Sequence, residues 1–113
     1  MNRILLASAL FFAANQAVAR CDYPTQLKDI PNGEVATKEE MTDAQKAIKT
    51  YLADMNEFLD CLAVENDALG DDEANADKRS VVAARHNAAV DQMEQTGEEF
   101  NVAVRAYKAR LNN

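Results

Sequence analysis

The sequence has one histidine, two cysteines and no tryptophan, and this scarcity limits the chemistry that its side chains can perform. His86 is its only side chain of the usual kind for acid–base catalysis or metal binding at neutral pH. A helical metal site needs further ligands three or four residues away, but those positions hold Val82, Ala83, Ala89 and Val90. The cysteines form no C-x-x-C or C-x-x-C-H motif, which excludes the common redox, zinc and haem-attachment signatures.

Nucleophiles and paired catalytic acids are equally scarce. Ser80 stands in no pattern that would bring a base to it, and Cys61 is expected to be bridged. The carboxylates at 71–72 and 98–99 are adjacent pairs, whereas catalytic acids need a cleft that separates their pKa values. The acidic segment that starts at Asp71 has Ala76 and Val82 at the positions where an EF-hand calcium loop requires glycine and glutamate. We therefore predict no enzyme, no cofactor and no metal site.

Positive charge is in deficit. Lys and Arg number 12 against 19 Asp and Glu, which gives a formal net charge of −7. Removal of residues 1–19 would take away only Arg3 among the charged residues, leaving 11 − 19, or −8. Because an acidic chain is repelled by phosphate backbones and anionic lipids, we expect neither nucleic acid nor membrane surfaces as partners.

The first 19 residues have the pattern of a secretory signal peptide. A positive leader ending at Arg3 precedes an apolar run over 4–14, and the run 17–19 is a small-residue cleavage motif. The apolar run is shorter than the about 20 residues that a membrane-spanning helix needs, so no membrane insertion is expected after cleavage. The bulky Arg20 before Cys21 disfavours lipid attachment. We predict a mature chain that begins at Arg20 and is periplasmic or secreted.

Both cysteines belong to the mature part, and export would deliver them to an oxidising compartment. We therefore predict a disulfide between Cys21 and Cys61, in preference to two free thiols or a redox or metal pair. Closing a loop of this length is worth roughly 3–4 kcal/mol in a domain whose core is small.

Helical periodicity is the main positive signal in the sequence. Two stretches alternate apolar steps of three and four residues, which is typical of helices packed along each other. The first stretch comprises Met41, Ala44, Ile48, Tyr51, Met55, Phe58 and Leu62. The second comprises Ala83, His86, Val90, Met93, Gly97, Phe100, Val104, Tyr107 and Leu111.

This pattern predicts an all-α fold, an antiparallel two-helix hairpin that resembles a coiled coil. Its expected parts are an extended N-terminal arm over 20–36, a helix over 37–69, a tip over 70–77 and a helix over 78–110. The run 37–40 predicts a capping box at the first helix, and Gly70 predicts its end. Pro31 and the turn-forming pair Asn32-Gly33 keep the arm from becoming a helix. Gly97 is expected to admit a large side chain from the first helix.

Two surfaces are candidates for binding a protein partner. Leu52 and Leu59 lie on the flank of the first helix opposite Cys61, where they are expected either to pack on the second helix or to face a partner. The second candidate is a polar side of the second helix, formed by Asn87, Asp91 and Asn101.

Five runs that cover most of the mature chain are Cys21-Asp22-Tyr23-Pro24, Ile30-Pro31-Asn32-Gly33, Ala36-Thr37 through Glu40-Met41, His86 through Glu94, and Phe100 through Lys108. In these runs the sequence resembles a group of small exported proteins of Gram-negative bacteria. That group has no assigned activity, so the resemblance implies a periplasmic or secreted location and no catalytic residues.

We expect a non-enzymatic interaction or structural protein of the cell envelope, which binds a protein partner or itself through a helix face. One alternative is a periplasmic chaperone or stress-binding module that holds unfolded clients. The other is a small ligand- or metal-binding bundle centred on His86.

Overall fold

The computed structural model describes residues 21–27 and 29–113, so the predicted signal peptide and Arg20 lie outside the described residues. Two long helices dominate this part of the chain. Helix α1 spans Lys38–Leu69 and helix α2 spans Ala76–Leu111, with a single 3-10 turn at Glu73–Asn75 between them. The described residues contain no strand, and the all-α prediction is confirmed.

Helix α1 begins and ends at the predicted signals. The Thr37 hydroxyl accepts a hydrogen bond from the Glu40 amide at 3.1 Å, and the Glu40 carboxylate accepts one from the Thr37 amide at 2.8 Å. Each side chain thereby satisfies an amide that has no partner within the helix. At the other end Gly70 adopts a φ of 59°, which a residue without a Cβ adopts at little cost.

The tip is shorter than predicted, because α2 begins two residues before the expected position 78. The Asp72 side chain accepts a hydrogen bond from the Ala74 amide, which starts the 3-10 turn that leads directly into α2. The guanidinium of Arg79 donates to the carbonyl oxygens of Gly70 and Asp72, both at 2.8 Å. These hydrogen bonds tie the tip to the first turn of α2.

The apolar stripe of α1 is the predicted one. Its buried residues are Met41, Ile48, Tyr51, Met55, Phe58 and Leu62. Near the tip, this stripe packs against Val82 and Ala89 of α2. At the opposite end, Met41 shares a second buried cluster with Ala103 of α2. The start of α1 therefore packs with the end of α2.

The buried line of α2 differs from the predicted one. The fully buried residues are Val82, Ala89, Thr96 and Ala103, seven residues apart, whereas the predicted Ala83 and His86 are exposed. Leu111 is also exposed. The rest of the predicted stripe is half-buried, and four of its residues do pack against the clusters that contain α1 residues: Met93, Phe100, Val104 and Tyr107. The arm explains the difference, because it packs on α2 beside α1. The most buried residues of α2 therefore lie between α1 and the arm. Small residues occupy this line because two neighbours approach it closely.

Gly97 does not face α1, and the predicted close approach to residues 48–51 is wrong. A Cβ built on Gly97 would meet nothing within 4 Å. The same shift of the buried line that brings Thr96 into the interior turns Gly97 toward open space.

We expect Gly97→Ala to raise the free energy of unfolding by about 1 kcal/mol, since alanine has the higher helix propensity and meets no obstacle here. Urea denaturation of the two proteins measures the difference. A destabilised variant would mean that Gly97 does face α1, as its sequence position had indicated.

Candidate interaction surface

One side of the helix pair is covered by the arm, which is held first by the predicted disulfide. The bond between Cys21 and Cys61 is present, with 5.6 Å between the Cα atoms. Arg85 of α2 donates to the carbonyl oxygen of Cys21 at 3.1 Å and pairs with Glu65 of α1 at 3.5 Å. Its guanidinium also lies over the ring of Phe58, 5.5 Å from the centroid. The start of the arm is thus fixed to both helices.

The far end of the arm is a turn built by Asn32. Its side-chain oxygen accepts a hydrogen bond from the Glu34 amide at 3.0 Å, and its carbonyl oxygen accepts bonds from the amides of Val35 and Ala36. Such an Asx turn is the ordinary use of asparagine in loops. It presents the backbone of Gly33 to α2.

Gly33 lies directly against the backbone of α2. A Cβ on Gly33 would overlap the carbonyl oxygen of Ala103 and would come within 2.9 Å of the Tyr107 amide nitrogen. Arg110 completes this contact by donating to the carbonyl oxygens of Glu34, at 2.9 Å, and Ala36. The arm is therefore attached to α2 at both of its ends.

Between these two attachments the arm and α2 enclose a groove of about 590 Å³. Its rim carries the carboxylates of Asp29, Glu34 and Glu99, and its wall includes Ile30 and Val102. The lining of this groove is therefore acidic, and the arm covers this side of the helix pair.

Beneath the arm, Tyr51 is a buried polar group of the core. Its hydroxyl has no hydrogen-bond partner within the described part of the chain. Burial raises the pKa of Tyr51, and the charge and hydroxyl of the nearby Tyr23 raise it further, while Thr96 opposes the change. The Tyr51 hydroxyl therefore stays protonated in the folded protein at neutral pH.

The opposite side of the helix pair carries half-buried apolar residues. Leu52 and Leu59 of α1 pack against the same cluster as Met93 of α2. The helical period places three more half-buried residues on this side of α2. We define the open face as Leu52, Leu59, Val90, Met93, Phe100 and Val104.

The six side chains of the open face are uncharged, but charged residues border it. Lys49 lies three residues before Leu52, Glu94 lies four residues after Val90, and Lys108 lies four residues after Val104. The open face is therefore an apolar patch with a charged rim.

The two candidate surfaces from the sequence adjoin on α2. Leu52 and Leu59 belong to the open face, whereas Asn87, Asp91 and Asn101 are exposed on the outer side of α2. Asn87 and Asn101 each lie three residues before a valine of the open face, Val90 and Val104. The predicted seam placed Val90 and Gly97 in the contact with α1, whereas Gly97 has open space beside it and Val90 lies in neither core cluster. The residues one position earlier in each heptad, 82, 89, 96 and 103, are the buried ones.

His86 is exposed and lines a shallow groove near the tip with Ala63 and Asn66 of α1. Within the described part of the chain, no three or more His, Cys, Asp or Glu side chains are grouped so as to hold a metal ion. Neither α1 nor α2 contains a stretch that is long and apolar enough to cross a membrane.

Comparison with protein-family models, with curated proteins and with solved structures finds no significant match.

Proposed function

We propose that this protein is an exported, non-enzymatic interaction protein of the cell envelope. It binds a protein partner or a second copy of itself through one face of an antiparallel helical hairpin. The disulfide Cys21–Cys61 supports an oxidising location, since such bonds persist mainly outside the cytoplasm. A secretory signal over 1–19 accounts for how the chain reaches that location.

The hairpin is antiparallel and has the character of a coiled coil. Two contacts support this arrangement: Met41 clusters with Ala103 at one end, and Leu62 clusters with Val82 at the other. The seven-residue spacing of the buried residues of α2 is the repeat expected for two helices that pack side by side.

The open face is the observation that carries the proposal. It is apolar and free of formal charge, and it lies on the side of the helices that the arm leaves uncovered. Contiguous apolar surface rimmed by polar residues is typical of protein-binding sites, because leaving it in water forgoes the hydrophobic gain of burial.

Photo-crosslinking in the organism that makes the protein tests this proposal. A benzophenone amino acid replaces Asn56, which lies between the two leucines of the open face, and the control replaces the adjacent Glu57, which lies beside the arm. We expect a discrete protein adduct from position 56 after illumination and none from position 57. Equal adducts from both positions, or none from position 56, would refute binding through the open face.

A further inference from the structure

We propose that Asn32 is a site of spontaneous deamidation that reacts only while the arm is away from α2, and whose isoaspartate product stops the arm from returning. This inference goes beyond the proposed function, because it concerns the covered side of the helix pair and needs no partner. It rests on the Asn32-Gly33 pair, on its contact with α2, on the hydrogen bonds of the turn and on the charges around it.

The pair Asn32-Gly33 is the only Asn-Gly sequence in the chain. Asparagine deamidates fastest before glycine, because glycine has no side chain to obstruct attack by its own amide nitrogen. The asparagines within α1 and α2, at 56, 66, 87 and 101, precede larger residues and are held in helical backbone. Asn32 is also exposed, so water reaches its carboxamide. The turn of the arm is therefore the most reactive position for this chemistry.

The reaction consumes only water. The backbone nitrogen of Gly33 attacks Cγ of Asn32, and the bond from Cγ to Nδ2 breaks. Ammonia leaves with the former amide proton of Gly33, and a five-membered succinimide ring remains. Water then opens the ring at either carbonyl. Opening at Cγ gives aspartate, whereas opening at the backbone carbonyl gives isoaspartate, whose main chain runs through the former side chain and is longer by one carbon.

Contact with α2 blocks ring closure while the arm is docked. The peptide unit that joins Asn32 to Gly33 must rotate for the nitrogen to reach Cγ. Gly33 is buried, and a Cβ built on it would overlap the carbonyl oxygen of Ala103 and lie 2.9 Å from the amide nitrogen of Tyr107. Helix backbone on this side leaves no room for the rotation.

The hydrogen bonds of the turn hold the other reacting group. The side-chain oxygen of Asn32 accepts a bond from the Glu34 amide at 3.0 Å. Its backbone carbonyl oxygen accepts bonds from the amides of Val35 at 3.1 Å and Ala36 at 2.9 Å. Since both carbonyl groups of Asn32 are fixed in the geometry of the turn, the succinimide forms only after the arm has lifted from α2.

The isoaspartate product does not fit the docked position. Its longer main chain displaces Gly33 at a contact that has no space for even a methyl group. The new carboxylate lies in the turn next to Glu34, on a groove that already carries the carboxylates of Asp29 and Glu99. Deamidation therefore turns a transient opening of the arm into a permanent one.

Timed incubation of the oxidised protein, followed by digestion and mass spectrometry, measures aspartate and isoaspartate at position 32. The reference is the same chain, reduced and unfolded in guanidinium chloride. We expect the folded protein to react at least about tenfold more slowly, because its rate scales with the fraction of molecules in which the arm is open. Asn32→Gln is the negative control, since glutamine would have to form a larger ring.

Arg110→Gln tests whether the docked arm controls the rate. Arg110 donates hydrogen bonds to the carbonyl oxygens of Glu34 and Ala36, and its loss loosens the arm without altering the Asn-Gly pair. We expect deamidation at least about threefold faster than in the wild type. The matched control is Arg105→Gln, because Arg105 is an exposed arginine of α2 that bonds to Glu98 of the same helix. Circular dichroism confirms that both variants fold.

Equal rates in the folded and unfolded chain would overturn control by the arm, as would equal rates in the two arginine variants. The isoaspartate form, separated by chromatography, should show faster hydrogen exchange at Val35 and Ala36 than the unmodified protein. Unchanged exchange would show that the arm returns after deamidation, and it would overturn the irreversible step.

Discussion

Gly33→Ala is expected to lower the free energy of unfolding by about 2–3 kcal/mol and to free the end of the arm from α2. The new methyl group would collide with the backbone of Ala103 and Tyr107, and helix backbone cannot move aside as a flexible side chain can. Urea denaturation measures the loss. Hydrogen exchange at Val35 and Ala36, whose amides bond to Asn32 in the turn, reports whether the arm is released.

Gly97→Ala is the matched control for this experiment, because it adds the same methyl group where no atom lies within 4 Å. The two variants are expected to change stability in opposite directions. A Gly33→Ala protein as stable as the wild type, with unchanged exchange in the turn, would show that the arm does not lie against α2.

Removal of the disulfide is expected to have the largest effect of any change outside the helical core. The bond joins residues 40 apart in sequence, and the chain-entropy treatment of such a loop gives about 4 kcal/mol. The double variant Cys21→Ala/Cys61→Ala avoids a free thiol, and it also loosens the contact between Arg85 and the carbonyl oxygen of Cys21. Urea denaturation beside the oxidised wild type measures the loss.

Combining this variant with Gly33→Ala tests whether the arm acts as one unit. Once the arm has lost one attachment, the other attachment contributes less to stability. The combined variant should therefore lose less free energy of unfolding than the sum of the two separate losses. Fully additive effects would mean that the two ends of the arm are held independently. A loss of under about 1 kcal/mol on removing the disulfide would contradict its structural role.

Helix α1 was predictable because large side chains mark its buried side. Met55 and Leu62 share a buried cluster with Val82 and Ala89 of α2, and the capping residues at 37 and 40 act locally. Large apolar side chains on the buried side of a helix make its periodicity easy to identify.

Helix α2 was not predictable in the same way, because small residues occupy much of its buried line. Its buried line includes Ala89 and Ala103, and alanine carries no signal that separates them from exposed alanines such as Ala88. The larger Val90 and Val104 gave the stronger apolar pattern, although they lie on the open face. Size-weighted periodicity therefore identified the flank of the contact with α1, where Met93, Phe100 and Val104 pack against the buried clusters, and missed its centre.

The arm shows the same division between local and distant causes. The turn at Asn32-Gly33 and the disulfide follow from residue types and from the expected compartment. The two arginines that hold the arm do not, because Arg85 and Arg110 reach carbonyl groups 64 and 76 residues away in sequence. Every residue has a backbone carbonyl group, so the sequence does not show which carbonyl an arginine will contact.

The central claim is that α2 buries Ala89 and Ala103 within the protomer and leaves Val90 half-buried on a face open to partners. Methyl NMR with a dissolved gadolinium relaxation agent tests it most directly. We expect relaxation of the Val90 methyls and protection of the two alanine methyls. Protected Val90 methyls beside accessible alanine methyls would contradict the account.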